Sequence, residues 1–553
     1  MMSSFNVKGE LNNYGFCIKQ KKYNKFLIKQ IKNYFTITKE IGDRFIKIIK
    51  YPLYYEIDKF LVIPKFFSIK NINIDEIQID DVKYNKIQFI TKTLNYQYDT
   101  IKFNFKGTMR DYQQECIDFV KNLFNNDENT PKGGLLKFSC GMGKTLMAIY
   151  LSYILGVKTL IIVHLGDLLD QWIERIQFFT DATVGVIRQN KLELDKDITI
   201  GMVQTICSRD YNQDTFKSFG LVILDEVHHY GSQYFGNILM KTSFKYTIGL
   251  SATPVREDKM MYVINWFLGE IIYQMKKKFD YKILVKRIHF KSNNPLFSEK
   301  LRKYKGRMSP DTVKMLGDLI QIETRNKLII NIINSLKQKG RKIFVFSDRV
   351  EHLKTLKEAT DKIIEDNDEH HMYKTNYYIG SCKKLERKEA EKNGDIIFAT
   401  LKIAEEGIDI SRLDTVIYAL PIKLHKRLEQ SSGRILRLEK YDDLINIPLV
   451  IDIADNLSCF QGWTRTRNTY FKKEDWLVQD YYFEDDKYIF NDKDDKTHDP
   501  FNLIFNNIDD DDFIEKNLIR NNETNDKKTE KTENKPKEEK PIDAMTLLYG
   551  KKK

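Results

Sequence analysis

Phe138–Thr145 reads FSCGMGKT, and Leu221–His229 reads LVILDEVHH. In the first stretch an apolar run enters a glycine-rich turn, and a helical segment opens at Lys144. Strand, turn and helix in that order aim several backbone N–H groups and the positive end of a helix dipole at one point, which suits a phosphate. Gly141 and Gly143, on either side of Met142, let the backbone approach phosphate oxygens without a Cβ in the way. Lys144 is placed to reach the β- and γ-phosphates, and Thr145 to put its hydroxyl on Mg²⁺. The pattern is incomplete, because Phe138 stands where the usual phosphate loop has its first glycine. The second stretch supplies four apolar residues, as a buried central strand does, and delivers two acids at its end. Asp225 is suited to hold Mg²⁺ through its water shell, and Glu226 to orient and deprotonate an attacking water. Alone, that stretch also reads as a strand ending in a solvated acidic turn; downstream of a phosphate loop it reads as half of an ATP–Mg²⁺ site.

Outward from these stretches, residues 107–272 alternate apolar runs (LLKFS, TLIIVH, ITIGMV, LVILDE, YTIGLSA) with helical or turn segments. That is the pattern of a parallel sheet with helices on both faces. Residues 273–340 are basic and largely helical in pattern (SPDTVKMLGDLI, RNKLIINIINSLKQ), and read as a connector. A second strand–helix series runs over 341–489, through RKIFVFSD, NYYIGS, GDIIFAT, TVIYAL and LVIDIAD, without a phosphate loop. The fold class expected is therefore α/β, with two tandem parallel-sheet domains. Residues 1–106 mix aromatic and β-branched runs with polar breaks, and read as a small β-rich or α+β accessory domain. Residues 490–553 are dominated by Asp, Asn, Lys and Glu and read as a disordered, charged tail. Its run Asp509–Asp512 reads as a solvated acidic segment, and its last apolar patch, PIDAMTLLYG, as an unstructured end in preference to a docking peptide.

Composition bounds the class. The 553 residues are 42% hydrophobic and 30% charged, room for three or four domains of a globular protein. No run of about 18 apolar residues suggests a membrane span, and Met1–Phe16 lacks a signal-peptide pattern. The six cysteines are scattered without a CxxC pair, which argues against a disulfide framework or zinc site and for a reducing compartment. The net charge of +12 permits a polyanionic partner. It is equally explained by an AT-rich genome, given the abundance of Ile, Lys, Asn and Tyr.

Taken in order, the segments from roughly Gly107 to Trp476 resemble the superfamily 2 helicases and translocases, which implies two RecA-like motor domains with ATP bound between them. MRDYQQ resembles the segment that reads adenine, implying Gln113 for the base with Arg110 and Tyr112 nearby. LIIVHLGDLLDQW resembles a backbone-binding loop and the helix after it, although His164 stands where proline is common. GMVQTI implies Gln204 and Thr205 at the nucleic-acid track, and GLSATPVRED implies Ser251, Ala252 and Thr253 as the coupling segment. His228 resembles the coupling histidine of the DEVH variety. FVFSDRVEHLKTL resembles the opening of the second motor domain. In ATLKIAEEGIDI, Thr400 would touch the nucleic-acid backbone while Gly407 and Asp409 face the nucleotide. LEQSSGRILR implies Gln430, Gly433, Arg434 and Arg437 at the triphosphate. Arginines brought to the γ-phosphate from a second domain are worth roughly 10³–10⁵ in rate.

Cys140, inside the phosphate loop, reads as a small residue that fits, in preference to a redox switch, and His370–His371 as ordinary residues of a polar loop. The branch is narrower. ATPVRED resembles the translocase subunit of general transcription factor IIH. SDRVEHL and VIDIADNLSCFQGWTRTRNTYFKKEDW resemble the transcript-release helicases of poxviruses and other large DNA viruses. The aromatic residues of that last segment (Phe460, Trp463, Tyr470, Trp476) fit a helix packed on the second domain, or a base-stacking surface. The expectation is an ATP- and Mg²⁺-dependent motor, monomeric or within a complex, working on nucleic acid (DNA favoured, RNA the alternative). An RNA polymerase or transcription complex is the expected protein partner, and a cytoplasmic viral factory or virion, or another intracellular site, the expected location. The competing readings are an RNA helicase of RNA processing and a non-hydrolysing scaffold with a helicase fold.

Overall fold

Leu221–Leu224 is wholly buried, with a parallel neighbour on each side, so both faces of this short apolar strand need cover. It lies near the middle of an eight-stranded sheet in a computed structural model that describes residues 3–41, 47–79, 82–126, 130–138, 142–227, 238–241, 243–251, 261–275, 283–304, 307–401, 413–423, 448–484 and 487–489. The chain divides into two units, Met1–Lys278 and Phe279–Lys553.

In the first unit the sheet order is Lys191–Leu192, Val184–Arg188, Ile198–Met202, Thr159–Val163, Leu221–Leu224, Tyr246–Ser251, Lys132–Phe138, Ile271–Met275. Every pairing is parallel except that of the outermost Lys191–Leu192. All five apolar runs expected as strands are strands. The order places Tyr246–Ser251 between the strand feeding the phosphate loop and the strand carrying the acids. Lys144, Ser251 and Asp225 thus follow or end neighbouring strands at their carboxyl ends, where open α/β sheets bind ligands. Asp111–Asn125 and Gly166–Phe179 are amphipathic helices with one buried stripe each, whereas Lys144–Leu155 is apolar on most faces.

The accessory region forms a six-stranded mixed sheet over Ser3–Asn95, with a helix Lys25–Tyr34 and a hairpin Thr36–Ile41/Lys47–Pro52. It shares one continuous core with the back of the motor sheet. Phe67 packs edge-on against Phe35 at 4.7 Å and against Trp266 of the motor domain at 5.0 Å between ring centroids. Beside them the buried Lys65 ammonium donates to three motor carbonyls, of Phe244 (2.7 Å), Lys132 and Lys245 (both 3.3 Å). Residues 96–106 run as a strap along the motor, tied by Asp99 N–H to Ser218 O, Ile101 N–H to Gly156 O and Lys106 N–H to Phe179 O.

The second unit holds another eight-stranded sheet, ordered Thr375–Tyr378, Ile396–Ala399, Ile343–Phe346, Thr415–Tyr418, Leu449–Asp455, Leu284–Lys291, Leu477–Glu484, Lys487–Ile489. All pairings are parallel save the last. Here the structure departs from the expected connector at 273–340. Ile271–Met275 closes the first sheet, while Leu284–Lys291 is an inner strand of the second. The helices Thr312–Leu319 and Glu323–Gln338 pack into that second core. The strand does not read as an apolar run because two of the three cations in LVKRIHFK, Lys286 and Arg287, occupy buried positions. Arg287 Nε donates to Asp452 at 3.2 Å, and its Nη2 to Asn468 Oδ1 at 3.2 Å. The tail at 490–553, expected as disordered, lies outside the described residues.

Candidate active site

Gly143 has φ of +73° and caps the helix Lys144–Leu155. A left-handed residue there lets the chain leave the sheet and start the helix in one step, and a Cβ would run into the Gln113 amide. Gln113, 2% exposed, braces the loop: its Nε2 donates to Met142 O at 3.0 Å, and its Oε1 accepts from Arg110 N–H at 3.0 Å. The Tyr112 hydroxyl donates to the same Met142 carbonyl at 3.2 Å. The MRDYQQ segment therefore grips the phosphate loop directly, with the Arg110 side chain exposed beside it.

Lys144 and Glu226, 82 residues apart in sequence, form an ion pair at 3.1 Å. Glu226 adopts φ of +50°, an uncommon conformation for a residue with a side chain, directly after the strand-extending bond from Asp225 N–H to Ile162 O. Asp225 is 8% exposed, and its Oδ2 accepts from Trp172 Nε1–H at 2.9 Å. Burial, and then the adjoining Glu226 carboxylate, push the Asp225 carboxyl up to about 6, while Lys144 and the Trp172 N–H pull the other way. Thr145 occupies the second position of the helix, half-buried. A cation for phosphate, a hydroxyl and two carboxylates form a hard-oxygen donor set suited to Mg²⁺ with a triphosphate, not to a soft transition metal. Trp172 had no role in the sequence reading; an indole within an apolar stripe signals packing, not what its N–H touches.

With this geometry in hand, the family described as "Type III restriction enzyme, res subunit" matches residues 106–256, and the "Helicase conserved C-terminal domain" matches residues 324–439. The chain is 32% identical over 501 residues to the "Putative ATP-dependent RNA helicase" of Acanthamoeba polyphaga mimivirus, covering 88% of this chain and 91% of that one. The protein belongs to the superfamily 2 helicases. The helicase is also 28% identical over 254 residues to the "DNA 3'-5' translocase XPB2" of Sulfurisphaera tokodaii, covering 45% of this chain and 51% of that one. A fragment of a restriction-enzyme HsdR subunit from Vibrio vulnificus shares the fold, with a TM-score of 0.52 at 19% identity over 70% of this chain and 71% of that one. Membership makes the helicase a nucleic-acid-stimulated ATPase, and use of ATP and Mg²⁺ is general in the family.

The helicase's other expected site residues divide by location. Ser251 ends its strand, buried, between the phosphate-loop strand and the acid strand. Gln204 is exposed on the short helix Val203–Ser208 and donates from Nε2 to His164 O at 2.8 Å, joining two segments expected along the track. The Thr205 hydroxyl accepts from Gln189 N–H at 3.2 Å. Thr400 follows the strand Ile396–Ala399 of the second unit, half-buried. Cys140, Gly141, His228, Ala252, Thr253, Gly407, Asp409, Gln430, Gly433, Arg434 and Arg437 lie outside the described residues. His370 and His371 sit on the surface beside Asp368, all three exposed. The helix Cys459–Lys473 is packed into the second unit. Phe460, Tyr470, Phe471 and Trp476 are buried, and Arg467 is held by Asp452 at 2.9 Å and by Ile422 O at 3.0 Å.

Proposed function

We propose that the helicase couples ATP hydrolysis to travel along a nucleic-acid strand, with DNA the favoured track, during transcription in a large DNA virus, at transcript release or termination. One observation carries the hydrolytic part: the Lys144–Glu226 ion pair beside the buried Asp225, at the carboxyl ends of a parallel sheet. Lys144 binds and neutralises phosphate. The incoming triphosphate competes with Glu226 for that ammonium, which frees the Glu226 carboxylate to orient water and accept its proton. Asp225 and Thr145 would hold Mg²⁺, which screens phosphate charge when bound. Arg434 and Arg437, from the second unit, are proposed to meet the charge that develops on the γ-phosphate. The translocase named above supports DNA and the mimiviral relative supports a viral setting; a viral factory or virion is the place we propose, and an RNA polymerase the partner. Among the described residues no helix is long and apolar enough to cross a membrane.

A second reading rests on that mimiviral relative's name, which makes RNA the track. Steady-state ATPase with single-stranded DNA, duplex DNA and RNA as separate activators ranks the two. The DNA reading expects at least tenfold greater stimulation by DNA, lost steeply as salt rises because backbone contacts release counterions. Stimulation by RNA alone overturns it. Lys144→Ala should abolish turnover in every arm while leaving the melting temperature within a few degrees. Normal hydrolysis by that variant would remove the site assignment itself.

A further inference from the structure

The Trp172 indole is 2% exposed on the helix Gly166–Phe179, and its N–H ends on Asp225 Oδ2 at 2.9 Å. Trp172 belongs to the buried stripe Leu169, Trp172, Ile176, which covers the sheet beside the strands Thr159–Val163 and Leu221–Leu224. Leucine or phenylalanine would fill such a stripe. Tryptophan adds one thing they lack, a donor that cannot accept and that, once buried, needs an acceptor. The acceptor here is the acid that ends the central strand, whose backbone is already fixed by the bond from Asp225 N–H to Ile162 O. Backbone and one carboxylate oxygen are thus both tied, the adjoining Glu226 backbone N–H bonds the carboxylate as well, and an ionised carboxylate still has lone pairs for a ligand.

We propose that Trp172 is a positioning residue of the hydrolysis site: its indole N–H fixes the rotation of the Asp225 carboxylate, so that the lone pairs not used within the protein are preorganised for the hydrated magnesium of Mg–ATP. The proposal rests on the reading of Asp225 as the magnesium-holding acid. Partners that orient a ligand in this way typically contribute about 10–100-fold to metal affinity or activity.

Two substitutions separate the donor from the packing. Trp172→Phe keeps most of the aromatic volume and removes the N–H. Trp172→His removes the benzo ring but puts Nε2–H where the indole Nε1–H was. The full chain is assayed at saturating ATP and nucleic acid while free Mg²⁺ is titrated, near pH 8.5 so that histidine is neutral. For Trp172→Phe the half-saturating Mg²⁺ should rise about tenfold, with maximal turnover changed by less than about threefold. Trp172→His should stay within about threefold of the parent in half-saturating Mg²⁺ although it melts at the lower temperature, because it loses more buried surface. An unchanged Mg²⁺ requirement in Trp172→Phe overturns the proposal. So does a rise in both variants that follows their loss of stability, since that describes packing alone. Asp225→Asn tests the underlying reading separately: wild-type turnover in that variant sinks the magnesium assignment whatever Trp172 does. Should Trp172→Phe fail to fold, wild-type protein carrying 5-fluorotryptophan replaces it. A fluorine resonance that shifts on addition of Mg–ADP and is missing from Trp172→His supports the proposal, and no shifting resonance overturns it.

Discussion

Lys144 and Glu226 neutralise one another across the mouth of the site, so neither presents a full charge until a triphosphate intervenes. The left-handed backbone at Glu226 belongs with that arrangement: a side chain at φ of +50° is tolerated where the surroundings hold it, and such strain gathers at functional sites. Glu226→Gln keeps a hydrogen-bonding partner for Lys144 but loses the base. Nucleotide binding, followed with a fluorescent ATP analogue, should persist, while single-turnover hydrolysis falls by roughly 10²–10⁴. In the second unit, His352 makes a pH prediction. It is buried between Ser347 Oγ and Asn326 Oδ1, both at 3.1 Å, and burial, then the Arg325 charge, lower its pKa to about 3. Asn326 Nδ2 donates to Ile320 O, so its Oδ1 accepts and His352 Nε2 carries the proton. An unfolded histidine protonates near 6.5, so the unfolded chain binds the extra proton first. The stabilisation from keeping His352 neutral is complete above that pH and is lost as pH falls from 6.5 towards 3, by up to about 1.4 kcal/mol per unit. Urea midpoints of the second unit between pH 7.5 and 5 should therefore fall more steeply in the parent than in His352→Gln. At this scale the meeting of Lys144 with the acids Asp225 and Glu226 at a strand end was legible, because backbone and charge requirements fix residue type at fixed spacing. Trp172 and the loop-gripping role of Gln113 were not, because sequence does not say which donor a folded chain brings to which acceptor.

Element by element, the parallel strands that read as unbroken apolar runs were found, and the one written LVKRIHFK was missed. A buried strand tolerates Arg287 because the residues beside it on the two neighbouring strands, Asp452 and Asp480, are carboxylates, and partners so remote in sequence leave no local signature. The same economy recurs at the helix Glu323–Gln338. There Arg325 and Asp455, both fully buried, share two bonds of 2.7 and 2.8 Å. Removing one partner strands a charge in the core, so Arg325→Ala and Asp455→Ala should each cost about 3–5 kcal/mol. Replacing both with alanine at once should cost less than the two single losses added together, since no unpaired charge is then left in the core. Urea unfolding of the four proteins in a double-mutant cycle measures the coupling; additive losses would mean that the pair does not act as a unit.

Across the first unit, the accessory sheet and the first motor domain are a single piece of apolar packing. Phe35 and Phe67 on one side meet Trp266, Phe267 and Ile264 on the other. Residues 1–106 were legible as a small β-rich or α+β domain, but nothing in their alternating pattern showed what their outer face covers. The contact explains why Met261–Leu268, MYVINWFL, is apolar on the face it turns to the accessory domain as well as on the face it turns to the motor sheet. It also explains Lys65, whose ammonium sits in that seam on three motor carbonyls and is held well below its ordinary pKa by burial. A chain beginning at residue 96 would expose that helix and leave the carbonyls without their donor. Burial of apolar surface is worth roughly 25 cal/mol per Å² and an exposed patch of this kind drives association. The truncated protein should therefore melt well below the parent and aggregate at micromolar concentration, although Lys144, Asp225 and Glu226 are untouched. Trp266→Ala, in the otherwise complete chain, should reproduce part of that loss at about 3–5 kcal/mol, read by urea unfolding. A truncated chain that stays monodisperse, melts with the parent and hydrolyses ATP at the parental rate would mean that the two cores are independent and that the accessory sheet contributes nothing to the motor's stability.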